Sequence, residues 1–124
     1  MQGSQQDKRT TEAVRQLVEA LSHHDIESVQ AMLSEDVVWE TTAPPDGKRY
    51  EGRPAVRAAL EEFFRSSPRA IFETEALDAV GEQAVLRRRY RWDDRNGTPG
   101  HVRGVDLIRV HDGKVAEMLS YVKG

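Results

Sequence analysis

The sequence predicts an α+β fold in which helices pack on one face of a curved, mostly antiparallel sheet. Three observations support this prediction. Apolar residues recur at helical spacing in the first half of the chain, and alternation typical of strands fills the second half. Asn96-Gly97 and Asp112-Gly113, which favour tight hairpin turns, separate the later strands. Helices followed by an antiparallel meander are typical of α+β domains.

Two helices begin the predicted fold. In the segment 11–22, apolar residues spaced i, i+3, i+4 and i+7 form the stripe of an amphipathic helix. The stripe consists of Val14, Leu17, Val18 and Leu21. His23 and His24 end this helix, and Asp25 is suited to cap a short second helix. The inward residues of the second helix are predicted to be Ile26, Val29, Met32 and Leu33.

A first strand is predicted for residues 36–41, followed by a loop at 43–47, because paired prolines and Asp-Gly resist regular structure. A third helix should begin near Pro54, since proline is accepted in a first turn. Its predicted buried stripe is Val56, Ala59, Leu60, Phe63 and Phe64. The remaining strands are predicted at 70–78, 82–92, 101–110 and 114–122.

Length and composition limit the class of protein. The 124 residues, 38% of them hydrophobic, suit one domain, predicted to span 11–124, while the polar residues 1–10 are predicted to be a disordered leader. A net charge of −3 and a pI of about 5.8 argue against nucleic acid as a partner. No apolar run approaches the roughly 20 residues of a membrane span. The absence of cysteine and of a signal peptide predicts a cytoplasmic protein.

A cluster of arginines at 87–89 and 91 is the local exception to the acidic balance. On a strand these residues alternate between two faces, and the carboxylates of Glu73, Glu75 and Asp78 on the preceding strand are available to pair with them. We therefore interpret the cluster chiefly as exposed cross-strand ion pairs, which are individually weak.

One carboxylate stands in the apolar set of a strand. Asp106 shares its predicted face with Val102, Gly104, Ile108 and Val110. Such an acid accepts hydrogen bonds, has its pKa raised by desolvation, or takes part in chemistry. The alternative is a purely architectural acid held by an arginine, for which the sequence offers Arg87, Arg89 and Arg103.

Five pieces of the chain resemble, in order and spacing, a SnoaL-like protein of the nuclear transport factor 2-like, or ketosteroid isomerase-like, superfamily. They lie at 21–29, 33–40, 50–56, 104–106 and 112–117, and the likeness covers about 11–122. The resemblance implies a cone-shaped roll, with three helices packed in a strongly curved sheet and an apolar pocket at the open end. It also implies a homodimer formed through the outer face of the sheet.

The resemblance does not identify one reaction, because the superfamily includes several activities. Its members include ketosteroid isomerases, polyketide cyclases, scytalone dehydratases, limonene epoxide hydrolases and binding proteins. The isomerase tyrosine, base and second acid correspond to Leu17, Thr41 and Asp106, so only the last is kept. The Asp–Arg–Asp set of the epoxide hydrolases falls on Arg87, Arg89 and Ser120 and is absent. Polyketide cyclases, which use a single strand carboxylate, match Asp106 best.

The candidate catalytic residues are therefore Asp106 and, as a weaker candidate, Glu40, which alternation with Trp39 and Thr41 turns the other way. The candidate ligand-binding residues are Trp39, Thr41, Tyr50, Phe64, Arg89, Ile108, Met118 and Ser120.

The inward face of the 82–92 strand is the least determined feature of this predicted site. The apolar pattern turns Ala84, Leu86, Tyr90 and Trp92 inward. The family alignment instead turns Arg87 and Arg89 inward, which would place an arginine opposite Asp106 and suit a carboxylate-bearing ligand.

The sequence thus predicts a domain that binds a small apolar or carbonyl-bearing molecule, with cofactor-free isomerase, cyclase or dehydratase chemistry if Asp106 acts as a general acid or base. The alternatives are a non-catalytic ligand-binding or dimerisation module, and pairing with another protein through the outer sheet face. No metal site is predicted, because the adjacent side chains of His23 and His24 diverge at a helix end. No cofactor is predicted either.

Overall fold

The computed structural model describes residues 4–93 and 96–123. Its three helices are α1 at Gln5–Ser22, α2 at Ile26–Met32 and α3 at Arg53–Ser66. Asp25 caps α2 as predicted, because its side chain accepts a hydrogen bond from the backbone N–H of Ser28. The buried apolar side chains of the helices include Val14, Leu17, Val29, Val56 and Leu60. Within the described residues, no helix is both long enough and apolar enough to cross a bilayer.

The first helix begins earlier than its apolar stripe predicts. Ser4 and Asp7 form a capping box, and the buried hydroxyl of Thr10 donates to the Gly81 carbonyl oxygen over 2.5 Å. The predicted disordered leader is therefore wrong for residues 5–10, and residues 1–3 lie outside the described part of the chain. The polar side chains that suggested a leader are used to cap the helix and to fasten it to the turn before the fourth strand.

Six strands form one curled open sheet. They are β1 Leu33–Glu40, β2 Arg49–Glu51, β3 Ile71–Val80, β4 Gln83–Asp93, β5 Pro99–His111 and β6 Lys114–Val122. Their order is β2-β1-β6-β5-β4-β3, with β1 and β6 parallel and every other pair antiparallel. The predicted α+β class with a curved, mostly antiparallel sheet is confirmed. The strand β2 was not predicted, because its three residues are too few to show alternation.

Strand register decides which side chains face the helices. Across β4 and β5, Leu86 pairs with Asp106 without any irregularity over the whole ladder. Leu86 and Asp106 are buried, whereas Val85 and Leu107 beside them are 42% and 37% exposed on the opposite face. The apolar pattern therefore gives the correct inward face of β4, and the expectation that Arg87 and Arg89 point inward is wrong. Strict alternation places these two arginines with Val85 on the outer face.

Candidate functional site

A cavity of about 440 Å³ lies between the helices and the inner face of the sheet. Its wall is mostly apolar, and α1 contributes Val18 and Leu21 to it. Exposed Thr42, Glu62 and Thr74 also belong to the wall, so the cavity opens to solvent at their end. Small-molecule sites of proteins have volumes of about 300–1,000 Å³ and a similar apolar character.

Six aromatic rings form two opposite parts of the cavity wall. Trp39 and Tyr50, paired across β1 and β2, have ring centroids 6.0 Å apart. The second group comprises Phe63, Phe72, Tyr90 and Trp92, with neighbouring centroids between 5.2 and 5.8 Å apart. Rings at these separations support one another by offset and edge contacts. The cavity therefore presents flat, fixed apolar surfaces.

The polar centre of the cavity is an ion pair between Arg88 on β4 and Asp106 on β5. The Arg88 Nε donates to one Asp106 carboxylate oxygen over 2.6 Å, and Nη2 donates to the other over 3.2 Å. Their side chains are only 13% and 8% exposed, and both line the cavity. The other three N–H groups of the guanidinium make no hydrogen bond within the described part of the chain, so they remain available to a ligand.

The local sequence explains how this pair forms. Arg88 has the same phase on β4 as Leu86 and Tyr90, so it points into the cavity with them. Opposite Arg88 on β5 stands Gly104, which lacks a side chain to oppose it and lets the guanidinium lean along the strand toward Asp106. A Cβ added to Gly104 would lie 2.3 Å from the Tyr121 carbonyl oxygen, so close approach of β5 to β6 requires glycine here.

A neutral hydrogen bond continues the polar centre away from the ion pair. Ser120 lies directly across from Asp106 in the β5–β6 ladder. Its hydroxyl oxygen accepts a hydrogen bond from the Trp39 indole N–H over 3.2 Å. Because the oxygen is the acceptor in that bond, the hydroxyl hydrogen of Ser120 remains free to donate to a cavity group or ligand.

The structure brings most of the predicted site residues together around this cavity. Those that line it are Trp39, Thr41, Tyr50, Asp106, Met118 and Ser120. Alternation accounts for four of them, because Trp39 on β1 and Thr41 just after it are two positions apart, as are Met118 and Ser120 on β6.

Four predicted site residues lie elsewhere. Glu40 faces away from the cavity, as alternation predicted, and pairs with Arg49 over 2.7 Å. Phe64 stacks on His24 with centroids 4.5 Å apart, while its neighbour Phe63 takes the cavity position on α3. Ile108 is fully buried in the core beneath the cavity. Arg89 lies on the outer face with its Nε buried and unpartnered.

The pairing partner of Asp106 was not identified from the sequence. The three arginines that it offered were Arg87, Arg89 and Arg103, whereas the structure uses Arg88. The signal was present, because residue 88 continues the 84, 86, 90, 92 series of inward positions. A charged residue in an apolar series was masked by the basic residues on both sides of it.

One arginine of the cluster forms an expected cross-strand ion pair, whereas Arg88 pairs inward with Asp106 and Glu75 takes Arg103, which lies outside the cluster. Arg91 pairs with Glu73 over 2.8 Å. Glu75 pairs with Arg103 over 2.7 Å, and this hydrogen bond lowers the pKa of the Glu75 carboxyl. These side chains are partly exposed, so each pair contributes little to stability.

Within residues 4–93 and 96–123, no group of three histidine, aspartate or glutamate side chains is arranged to hold a metal ion. The side chains of the cavity offer hydrogen-bond donation by Arg88 and Ser120, and proton acceptance by Asp106.

The fold and its cavity define a class of small α+β rolls that enclose an apolar chamber. Residues 14–118 match the SnoaL-like domain family, and the chain belongs to this family. It has the fold of the nuclear transport factor 2-like superfamily. No functionally curated protein matches the sequence at a significant level.

Solved structures share the whole fold. An NTF2-like protein of unknown function from Mesorhizobium loti is 33% identical, with a TM-score of 0.84 and coverage of 99% of this chain and 98% of that chain. A protein named as a SnoaL-like polyketide cyclase, from Jannaschia, has a TM-score of 0.87 at 18% identity, covering 99% and 91%. A protein named as a ketosteroid isomerase, from Kribbella flavida, has a TM-score of 0.82 at 22% identity, covering 95% and 80%. The last two support the fold alone.

Loss of one partner of the ion pair should destabilise the protein. In Arg88→Met, the Asp106 carboxylate is left buried and unpaired, and we expect a loss of about 3 kcal/mol in the free energy of unfolding, at the low end for buried pairs because the cavity admits solvent. Arg87→Met on the outer face should change it by less than about 0.5 kcal/mol. Urea denaturation measures both variants. Equal losses would show that the pair contributes no more than a surface arginine.

Proposed function

We propose that this protein binds a small, mostly apolar molecule in the cavity, with one oxygen of the ligand held at the Arg88–Asp106 pair. The observation that carries the proposal is a buried ion pair with unused donors in an otherwise apolar, aromatic-walled chamber. Enclosed apolar surface supplies affinity, while a few placed polar groups fix orientation. Proteins named as a polyketide cyclase and a ketosteroid isomerase share the fold, which is consistent with a small-molecule function.

The shape of the wall suggests the shape of the ligand. The Trp39–Tyr50 pair and the group of four rings on the other side favour a flat apolar body. The free N–H groups of Arg88 favour a carbonyl oxygen at one end of that body, because charge-assisted donors bind oxygen acceptors strongly.

Binding is testable with prodan, a fluorescent naphthalene ketone whose emission shifts to shorter wavelength in apolar surroundings. We expect saturable binding by the wild-type protein. Ala59→Trp, which fills the cavity from α3, should weaken binding at least tenfold, about 1.4 kcal/mol. Ala58→Trp, on the exposed side of the same helix, is the matched control and should bind as wild type does. Equal binding by both variants would place prodan outside the cavity and count against the proposal.

Proton-transfer catalysis is the second candidate function, and the lone pairs of Asp106 support it. Each carboxylate oxygen accepts one hydrogen bond from Arg88, which leaves further lone pairs for a substrate C–H proton. In such a step the proton moves from the carbon beside a carbonyl to Asp106, and the developing enolate oxygen is stabilised by the Arg88 N–H groups. Return of the proton to another carbon would complete an isomerisation without a cofactor.

Hydrogen exchange separates catalysis from binding alone. In D2O, an active protein should accelerate replacement of the prodan protons next to the carbonyl, followed by proton NMR. In Asp106→Asn, the protein-catalysed rate of this exchange should fall at least tenfold, because an amide is a poor proton acceptor. Binding of prodan should persist. Wild-type exchange no faster than in buffer would reject catalysis for this ketone and leave the binding function.

Homodimer formation through the outer sheet face belongs to the same proposal. Val85, Leu107 and Tyr121 lie on adjacent strands of that face and are 42%, 37% and 53% exposed. Exposed large apolar side chains on neighbouring strands of one sheet face favour an interface there. A second copy is the occupant that the family resemblance supports.

Sedimentation analysis tests the dimer. Wild-type protein should sediment as a dimer at micromolar concentration, and Leu107→Asp should sediment as a monomer because a charge at the centre of the apolar face must be desolvated. Val80→Asp, at the exposed end of β3, should leave the dimer unchanged. A monomeric wild-type protein would reject this interface.

A further inference from the structure

We propose that Asp106 sets the charge selectivity of the cavity, so that its ligand carries a neutral carbonyl group and a carboxylate is rejected. This inference rests on the proposed binding function and adds the chemical class of the ligand. An unpaired arginine in an apolar cavity would select an anion. Here the arginine is retained as a directional donor while its charge is neutralised by its neighbour.

Burial makes the neutralisation effective. The Arg88 and Asp106 side chains are only 13% and 8% exposed and are joined by two hydrogen bonds. Charge interactions are much stronger in such surroundings than in water. A ligand carboxylate that reached the free N–H groups of Arg88 would lie close to the Asp106 carboxylate, and two adjacent carboxylates repel one another. A neutral carbonyl accepts the same hydrogen bonds without that repulsion.

The other charges of the cavity act in the same direction. Among the described residues, Arg88 is the only cation in the wall, whereas Glu62 joins Asp106 as a carboxylate, and the Glu73 carboxylate turns to the outer face. Glu62 already pairs with Arg65, and Glu73 pairs with Arg91. No second cation is therefore placed to compensate an incoming anion, and a charged ligand would lose its hydration without a matching partner.

Two probes of nearly equal shape test the inference: prodan, which carries a neutral ketone, and 6-dimethylamino-2-naphthoate, which carries a carboxylate on the same ring system. Wild-type protein should bind prodan at least tenfold more tightly than the carboxylate. Asp106→Asn, which keeps an oxygen that can accept from Arg88, leaves the arginine charge unbalanced. In Asp106→Asn, we expect the ratio of the prodan and carboxylate dissociation constants to change at least tenfold in favour of carboxylate binding.

Glu73→Gln is the matched control, because it removes a carboxylate that pairs with Arg91 on the outer face and leaves the Arg88–Asp106 pair intact. Its ratio should stay within about threefold of the wild-type ratio. Circular dichroism checks that each variant is folded. If Asp106→Asn does not fold, Asp106→Ser takes its place, since it removes the same charge with a smaller side chain.

The outcomes separate this inference from the function on which it rests. Failure of wild-type protein to bind prodan rejects the proposed function for ketones and the inference with it. Wild-type binding of prodan together with equal or tighter binding of the carboxylate overturns charge selectivity alone. If the ratio of the prodan and carboxylate dissociation constants is the same in wild type and in the folded Asp106 variant, the proposed role of Asp106 is overturned. The proposed binding function is then unaffected.

Discussion

The unbroken antiparallel register of β4 and β5 is the constraint on which the cavity depends. It pairs Leu86 with Asp106 and Arg88 with Gly104. The Arg88 side chain, two positions after Leu86 on β4, can therefore lean across to the Asp106 carboxylate on β5. A shift of β4 by one residue would turn Arg87 and Arg89 inward and Arg88 to the outer face, away from Asp106, since strand side chains alternate. The core beneath, with Ile108 fully buried, holds this register in place.

The ion pair affects function and stability in different ways. Two buried charges in contact contribute little net stability compared with apolar side chains of the same size, although loss of one partner is costly. The pair therefore adds little net stability to the fold, and its position in the cavity wall agrees with the proposed binding of a ligand oxygen. It presents fixed donors in an apolar chamber and adds no net charge, a combination that a single serine or a single arginine would not supply.

Much of this arrangement follows from the sequence. Period-two alternation predicted that Asp106, Trp39 and Thr41 face inward and that Glu40 does not. What could not be predicted depends on how elements pack. Phe63 and Phe64 both belong to the apolar stripe of α3, and only the docking of that helix decides that Phe63 enters the cavity wall. The partner of Asp106 was missed because the arginines on both sides of Arg88 masked its place in the inward series of β4, and its choice also depends on the register between β4 and β5.

The polar and apolar parts of the cavity come from different elements, and this division bears on how a ligand would be selected. Arg88, Asp106 and Ser120 stand on three adjacent, hydrogen-bonded strands, so their relative positions are fixed by the sheet. Val18, Leu21 and Phe63 come from the helices α1 and α3, outside the strand ladders. Small shifts of α1 or α3 would change the size of the chamber without moving the polar groups. In the proposed function, the helices would thus adjust the size of the ligand, while β4, β5 and β6 fix the polar groups proposed to hold its oxygen.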